Sequence, residues 1–342
     1  MRVCVVGFGT VGRWVVGALA RRGDELREAH GADIELVGVA NARDGFVHRE
    51  GGLDPSALLE LAAAGRPITD HPDASSRPTA AEGLREADFD LLIETSASPA
   101  AGGEPGLTHM RDALARGAGV VTSNKWPVAL AGVELVRLAR EHRVPFRAEA
   151  TVMSGTPVLG PLTEGIAGTT PRAVRGVLNA TVNSILTDVR RGAGYEEALA
   201  AAQAAGLAEP DASADLDGHD SVAKLMILSA LVFGRQLEVG DVSRRGISAL
   251  TDEELAAARS GEAGVLRELS ELRALDGGGV EARVAPRLLD PADPLAEVEG
   301  RTNAIVCNAD PLGGIRIAGP GAGPELAGQG CLSDLIAVAR WA

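Results

Sequence analysis

Residues 2–12 read RVCVVGFGTVG. Val3, Val5 and Val6 favour an extended strand, and with Cys4 they make it apolar on both faces, as a buried strand is. Glycines at 7, 9 and 12 interrupt the run, and a helical pattern follows over residues 11–29. Strand, GxGxxG, helix is the dinucleotide-binding arrangement. Gly7 permits the tight turn, Gly9 lets a pyrophosphate approach the backbone, and Gly12 lets helix and strand pack closely. The helix N-terminus attracts the phosphates. Gly7, Phe8, Gly9, Thr10, Val11 and Gly12 are therefore the expected cofactor loop. An incidental glycine turn is the competing reading, and the flanking strand and helix weigh against it. The expected fold is α/β, opening with a doubly wound sheet of Rossmann type.

Residues 34–40, IELVGVA, form a second strand, whose end should meet the adenosine ribose. A diphosphate cofactor usually finds an acid there. This chain has Asn41-Ala42-Arg43, with Asp44 late. Arg43 could pair with a 2′-phosphate, which leans the choice towards NADP over NAD; a solvated loop arginine reads the same way. Residues 44–86 look like a surface excursion with one helix, 55–64. A strand at 90–94 runs into Thr95-Ser96, and one at 119–122 into Ser123-Asn124-Lys125. Positions after such strands lie on the ligand edge, so Thr95, Ser96, Ser123 and Lys125 are candidates for the cofactor. Plain polar turns are the alternative. Helices at 107–116 and 132–142 and a strand at 145–148 complete a domain over 1–148.

Beyond Glu149 the character changes. A catalytic and dimerisation domain of α+β type is expected over 149–310, with 311–342 returning to the nucleotide domain. Strands are expected at 174–178, 280–288 and 303–308, with helices from 184, at 195–205 and at 252–259. Acids crowd the segment Glu209, Asp211, Asp215, Asp217 and Asp220. The chain then turns apolar from 222 to 233, broken only by Lys224 and Ser229. Asp220 and Lys224 are four apart, one turn on one helix face. A lysine in such a segment must be paired or line a wet cavity. Burial favours the neutral amine, and so a proton-transfer role near neutral pH. A surface ion pair with a snorkelling stem would give the same pattern.

The 342 residues are enough for about two domains. Apolar residues make up 45%, aromatics only 3%, so the core must rest on Val, Leu, Ile and Ala. A net charge of -14 argues against nucleic acid or an anionic membrane as partner. Cys4, Cys307 and Cys331 are odd in number and widely spaced, which fits reduced thiols in the cytoplasm and gives no metal set. No leader or apolar run long enough to span a bilayer is seen.

GFGTVG at 7–12, TSNK at 122–125, EATVMSGTPVL at 149–159, NATVNSILT at 179–187, GLAEPDASADLDGHDSVAK at 206–224 and GPGAG at 319–323 together resemble homoserine dehydrogenase. The likeness is to the short form without a C-terminal regulatory ACT domain. It implies interconversion of L-homoserine and L-aspartate 4-semialdehyde with NAD or NADP, in amino-acid biosynthesis, by a cytoplasmic homodimer. Positions matching Lys224 and Lys125 are implicated in proton transfer and substrate polarisation. Glu209 and Asp220 match substrate-holding acids, and Asn179, Thr181 and the cofactor-side Gly321 match the family's motifs. Asp215 and Asp217 are better read as capping or supporting acids. Glu149, Val152, Ser154 and Thr156 resemble the family's site for a monovalent cation such as Na+; a structural loop is the competing description. Many members read VGGG or VGAG where this chain has Val152-Met153-Ser154-Gly155, and NGTTNY where it has NATVNS. Ala180 and Ser184 therefore leave open a related amino aldehyde, and a catalytically silent nucleotide-binding protein is the other alternative.

Overall fold

The computed structural model describes residues 1–72, 74–261 and 263–340. The chain divides into two compact units. One comprises Met1–Gly155 and the stretch from Gly323 on, the other Thr156–Ala322.

In the first unit seven strands form one sheet. They are β1 (Arg2–Val6), β2 (Glu35–Asn41), β3 (Gly45–His48), β4 (Ser75–Arg77), β5 (Leu91–Glu94), β6 (Gly119–Thr122) and β7 (Phe146–Arg147), in the order β4-β3-β2-β1-β5-β6-β7. The five strands from β2 to β7 in that order are parallel, and β3 and β4 add an antiparallel edge. A parallel strand apolar on both faces needs helices on both. Helix α1 (Thr10–His30), α2 (Pro55–Ala63) and the closing helix Pro324–Ala339 cover one face, where Val3, Val5, Val15, Val16, Leu332 and Leu335 cluster. On the other, α3 (Ala80–Glu86), α4 (Gly106–Ala115) and α5 (Lys125–His142) gather Cys4, Val6, Leu92, Met110, Leu114 and Leu135. Each such buried side chain is worth roughly 1.5–3 kcal/mol, so many medium-sized residues do what few aromatics cannot. A short helix α6 (Ala150–Met153) ends this part of the chain.

Residues 44–86 are not the loose excursion expected. They supply β3, β4 and α3. Phe46 is fully buried, and a Cβ at Gly38 or Gly83 would meet its ring at 2.6 or 2.0 Å. Two small positions make the seat of one large side chain.

The second unit is a six-stranded sheet of β8 (Thr170–Val177), β9 (Val242–Arg244), β10 (Val265–Ala274), β11 (Val280–Leu289), β12 (Thr302–Asp310) and β13 (Gly313–Pro320). Its order is β13-β12-β8-β10-β11-β9, antiparallel except for β11 with β9. Helices α7 (Ala180–Arg190) and α10 (His219–Val232) pack on it, with α8 (Tyr195–Ala204), α9 (Ser213–Leu216) and α11 (Asp252–Ser260) outside α7 and α10. The units meet at 155/156 and 322/323 rather than at the expected 148/149 and 310/311. The reasons are local. Residues 149–155 stay on the first unit because Gly155 lies against the Leu326 backbone of the closing helix, and β13 pairs along β12. Among the described residues no helix is long and apolar enough to cross a membrane.

Candidate active site

In the first unit the strand order reverses between β1 and β5, and a cavity of about 740 Å³ opens there. Such a reversal is where doubly wound sheets bind ligands. Gly7, Phe8, Gly9, Asn41, Arg43, Thr95 and Ser96 line it. Gly7 has φ +97°, and a Cβ there would stand 2.4 Å from Ser96 N. A Cβ on Gly12 would fall 2.2 Å from the Gly7 carbonyl oxygen. Gly9, by contrast, faces open space, and as N-cap of α1 it leaves the first-turn N–H groups without a side-chain acceptor. No acid sits in that turn. The residues present therefore fit a pyrophosphate. Thr95 braces the turn by donating from Oγ1 to the carbonyls of Val6 at 3.1 Å and Gly7 at 2.9 Å. Thr10 and Val11 begin α1.

At the end of β2, Arg43 is exposed and bonds Asp44 through Nε at 2.7 Å. The Asp44 carboxylate is almost wholly buried, accepts also from Asn41 Nδ2 at 2.8 Å, and is held below the usual carboxylate range chiefly by Arg43. The cavity wall thus offers an amide and a guanidinium, and no acid from this turn. Arg13, on the first turn of α1, lines the cavity as well and donates from Nε to the Phe8 carbonyl at 3.1 Å. Sequence reading passed it over; a cation directly after GxGxxG is the signal that could have found it.

Lys125 does not follow a turn. It is the first residue of α5, half-buried, with Asn124 as N-cap, and the helix begins seven residues before the expected start at 132. Pro127 is tolerated because it falls in the first turn, and a kink at Ala131, φ −140°, separates this turn from the rest. Ser123 N–H donates to the Glu94 carbonyl at 3.2 Å, which ties the two strand ends together.

The second unit gathers the other expected residues. Lys224 is 6% exposed, midway along α10. Its Nζ lies 2.8 Å from Asp220 Oδ2 and donates to the Leu178 carbonyl at 2.6 Å. Asn179 is the N-cap of α7: its Oδ1 accepts from Val182 N–H at 2.9 Å, which turns Nδ2 towards Asp215 Oδ1 at 2.8 Å and Asp220 Oδ2 at 3.3 Å. α7 accordingly starts at 180, not at the expected 184. Thr181 Oγ1 donates to the Leu207 carbonyl at 2.9 Å, tying α7 to the acidic loop. The result is one buried amine, two carboxylates and a bridging amide.

Asp215, read from the sequence as a supporting acid, is the one bridged to Asp220; Glu209 is exposed on the loop. A one-turn helix, α9, carries Asp215 inward. Asp217 turns instead to Ser248. Gly321 lies in the second unit, where a Cβ would strike Asn303 at 2.0 Å. Asn303 Nδ2 donates to the same Leu178 carbonyl as Lys224, at 2.6 Å. Glu268, on the helix-facing side of β10, accepts from Ser221 Oγ at 2.7 Å, and burial pushes its carboxyl up to about 8. Neither Asn303 nor Glu268 stood out in the sequence.

The expected cation residues fall in both units. Glu149 N–H donates to Asp334 Oδ2 at 2.9 Å, and burial pushes that carboxyl up to about 7. Val152 is buried in α6, and Ser154 has φ 54°, the left-handed region. Thr156 opens the second unit and donates from Oγ1 to the Pro320 carbonyl at 2.9 Å. Among the described residues no group of three or more His, Cys, Asp or Glu could hold a metal.

Family models agree with this division of labour. One described as homoserine dehydrogenase, NAD binding domain, matches residues 7–149, and one described as homoserine dehydrogenase matches residues 157–336. The chain is 36% identical over 335 residues to the NAD(+)-dependent homoserine dehydrogenase of Pseudomonas canavaninivorans, covering 98% of this chain and 95% of the relative. It is 31% identical over 337 residues to the homoserine dehydrogenase of Methanocaldococcus jannaschii, 98% of each. The solved structure of a hyperthermophilic archaeal homoserine dehydrogenase in complex with NADPH superposes with a TM-score of 0.80 at 29% identity, over 98% of this chain and 96% of that one. With a phosphate-binding turn at its start, a lysine–carboxylate cluster in its second unit, and matches running nearly end to end, this chain belongs to the homoserine dehydrogenase family.

Proposed function

We propose that the protein interconverts L-homoserine and L-aspartate 4-semialdehyde as an NAD(P)-dependent oxidoreductase acting on a CH–OH group. The observation that carries this reading is Lys224, a buried amine held between Asp220 and a backbone carbonyl on an apolar helix. The dinucleotide, bound against Gly7–Gly12, Thr95 and Ser96, would supply or accept the hydride. What this chain must add is a proton at the substrate oxygen and a hold on the amino acid. Lys224 gives that proton when the aldehyde is reduced and takes it back when the alcohol is oxidised. Lys125 polarises the oxygen. Asp220, with Asp215 through Asn179, meets the substrate ammonium; Glu209 approaches from its loop and Thr181 fixes that loop.

NADP is the preferred cofactor in this reading, supported by Arg43 on the cavity wall, with its ion-pair partner Asp44 outside the lining. A second element is a monovalent cation such as Na+ held by carbonyls of the Glu149–Thr156 segment, supported by the left-handed backbone at Ser154, which a non-glycine residue adopts only where its surroundings hold it. Turnover with and without Na+ at constant ionic strength tests it. The protein acts as a homodimer through the sheet face of the second unit that carries Arg175, Glu271 and Arg283 and that α7 and α10 leave uncovered; its mass in solution decides. A cytoplasmic location is in keeping with three buried, unbridged thiols.

Steady-state assays with homoserine and aspartate semialdehyde against both cofactors, beside other small amino alcohols, test the whole. Turnover confined to a different amino alcohol would refute the substrate, and cofactor binding without turnover on any of them would refute the enzyme.

A further inference from the structure

The first unit holds a buried acid and imidazole for which the hydride and proton steps have no use. Glu94 ends β5, paired between Val6 of β1 and Thr122 of β6, and is 0% exposed. A carboxylate at that depth is costly unless its oxygens are met. Both are: Oε1 accepts from Ser96 N–H at 2.7 Å, and Oε2 lies 2.8 Å from His109 Nδ1. The Glu94 carbonyl accepts from Thr122 Oγ1 at 2.8 Å and from Ser123 N–H at 3.2 Å. One residue therefore joins the wall at Thr95–Ser96, the segment leading into α5, and α4, which carries His109.

Two consequences reach the cavity. Ser96 N is the atom a Cβ on Gly7 would strike first, so the place of Ser96 sets the width of the glycine turn. His109, 5% exposed, also lines the cavity, beside Pro105 and Ala97. A carboxylate oxygen accepts, so the hydrogen shared between them is carried on Nδ1 and fixes how the imidazole faces the cavity.

We propose that Glu94 and His109 are a positioning pair for the cofactor: the carboxylate sets the Ser96 wall against the pyrophosphate turn and holds the imidazole at the cavity in one tautomer. This rests on the reading that the cavity takes a nicotinamide dinucleotide. Neither residue moves the reacting proton, so their loss falls on cofactor affinity.

Direct titration of NADPH by its own fluorescence, without substrate, tests the pair. In Glu94→Gln the acceptor for Ser96 survives, but the amide donates towards His109 and reverses the tautomer. His109→Phe keeps ring bulk without the bond, and His109→Asn restores an N–H near the place of Nδ1. The dissociation constant should rise about tenfold in Glu94→Gln and in His109→Phe, the size of one charge-assisted hydrogen bond. The double variant should be no weaker than about twofold beyond either single change, because both remove the same contact. His109→Asn should stay within about threefold of wild type, and the homoserine KM at saturating cofactor should not move. Single variants within about twofold of wild type, a His109→Asn as weak as His109→Phe, or a homoserine KM rising in step would each overturn the pair. A wild-type protein that binds neither NADPH nor NADH overturns the cavity reading and the pair with it, whereas normal wild-type binding with unaffected variants overturns the pair alone.

Discussion

Lys224 can be a proton carrier or merely half of an internal ion pair, and exchanging it for arginine separates the two. Its Nζ makes contacts of 2.8 Å to Asp220 and 2.6 Å to the Leu178 carbonyl, on a side chain 8% exposed. Arginine keeps the positive charge and can meet both acceptors, but its guanidinium does not give up a proton near neutral pH. A positioned general acid–base contributes about 10²–10⁴ in rate, equivalent to about 3–5 kcal/mol of barrier. Lys224→Arg should therefore lose kcat by at least about 100-fold while NADPH affinity stays within about twofold. Lys224→Met controls for the larger side chain: it fills a similar volume and removes the charge. The Leu178 carbonyl keeps Asn303 Nδ2 at 2.6 Å, and Asp220 keeps Asn179 Nδ2 at 3.3 Å. Because Asp220 retains 14% exposure, the stability cost should fall below the usual range for breaking a fully buried pair, at about 2–3 kcal/mol. Stopped-flow turnover, fluorescence binding of NADPH and thermal melting are measured together on both variants. If Lys224→Arg kept kcat within about tenfold of wild type, Lys224 would be a structural partner of Asp220 and the proton would have to move through another group.

Three further perturbations follow from particular geometry. Arg43→Ala should weaken NADP about tenfold more than NAD, as the loss of one phosphate partner would; equal effects on both cofactors would remove the basis for the preference. Gly7→Ala places a methyl group 2.4 Å from Ser96 N at φ +97°, so the melting temperature should fall by several degrees, at a cost of about 1–3 kcal/mol, and NADPH binding should disappear; an unchanged melt would show that the turn can open. Glu268 titrates at about 8 in the fold against 4.5 for the free side chain. The folded state thus holds an extra proton between those values, and stability should decline as pH rises from about 4.5 to about 8, by on the order of a few kcal/mol. Glu268→Gln keeps an acceptor for Ser221 and should flatten that decline in urea melts at pH 6 and 8.5. Asp334 contributes a slope of the same sign in both proteins, so parallel slopes would refute the assignment to Glu268.

What could be seen in the sequence was what short-range covalent chemistry dictates. RVCVVGFGTVG declares a strand, a turn and a helix within eleven residues, because glycine at 7 answers to a φ of +97° and glycine at 12 to the Gly7 carbonyl oxygen of the turn itself. The Asp220–Lys224 pair was visible because one helical turn separates them. Hidden were the features whose meaning comes from distant partners. β10 reads VLRELSELRA, with charges at four of its ten positions and no alternation to betray a strand. Yet Arg267 is fully buried, donating from Nη2 to the Ala296 carbonyl at 3.0 Å, and Glu268 is buried against Ser221, 47 residues back. Four residues of β3 are too few to show a period, and only Gly38 and Gly83 explain why Phe46 is inside.

The choice among the five acids of residues 209–220 has the same cause. Spacing along the chain cannot rank them, because the ranking is made by Asn179. That residue must direct Oδ1 at Val182 N–H to start α7, and doing so leaves its two Nδ2 protons facing outward from the helix end. An amide held in this way can donate to two carboxylates and no more. Asp220 takes one place because α10 brings it beside Lys224. The other goes to whichever acid the preceding turn delivers, and α9 delivers Asp215. Glu209, six residues earlier, is exposed on its loop. A helix cap thereby selects its carboxylates: the residue that caps α7 is also the one that bridges Asp215 to Asp220, the partner of the Lys224 amine.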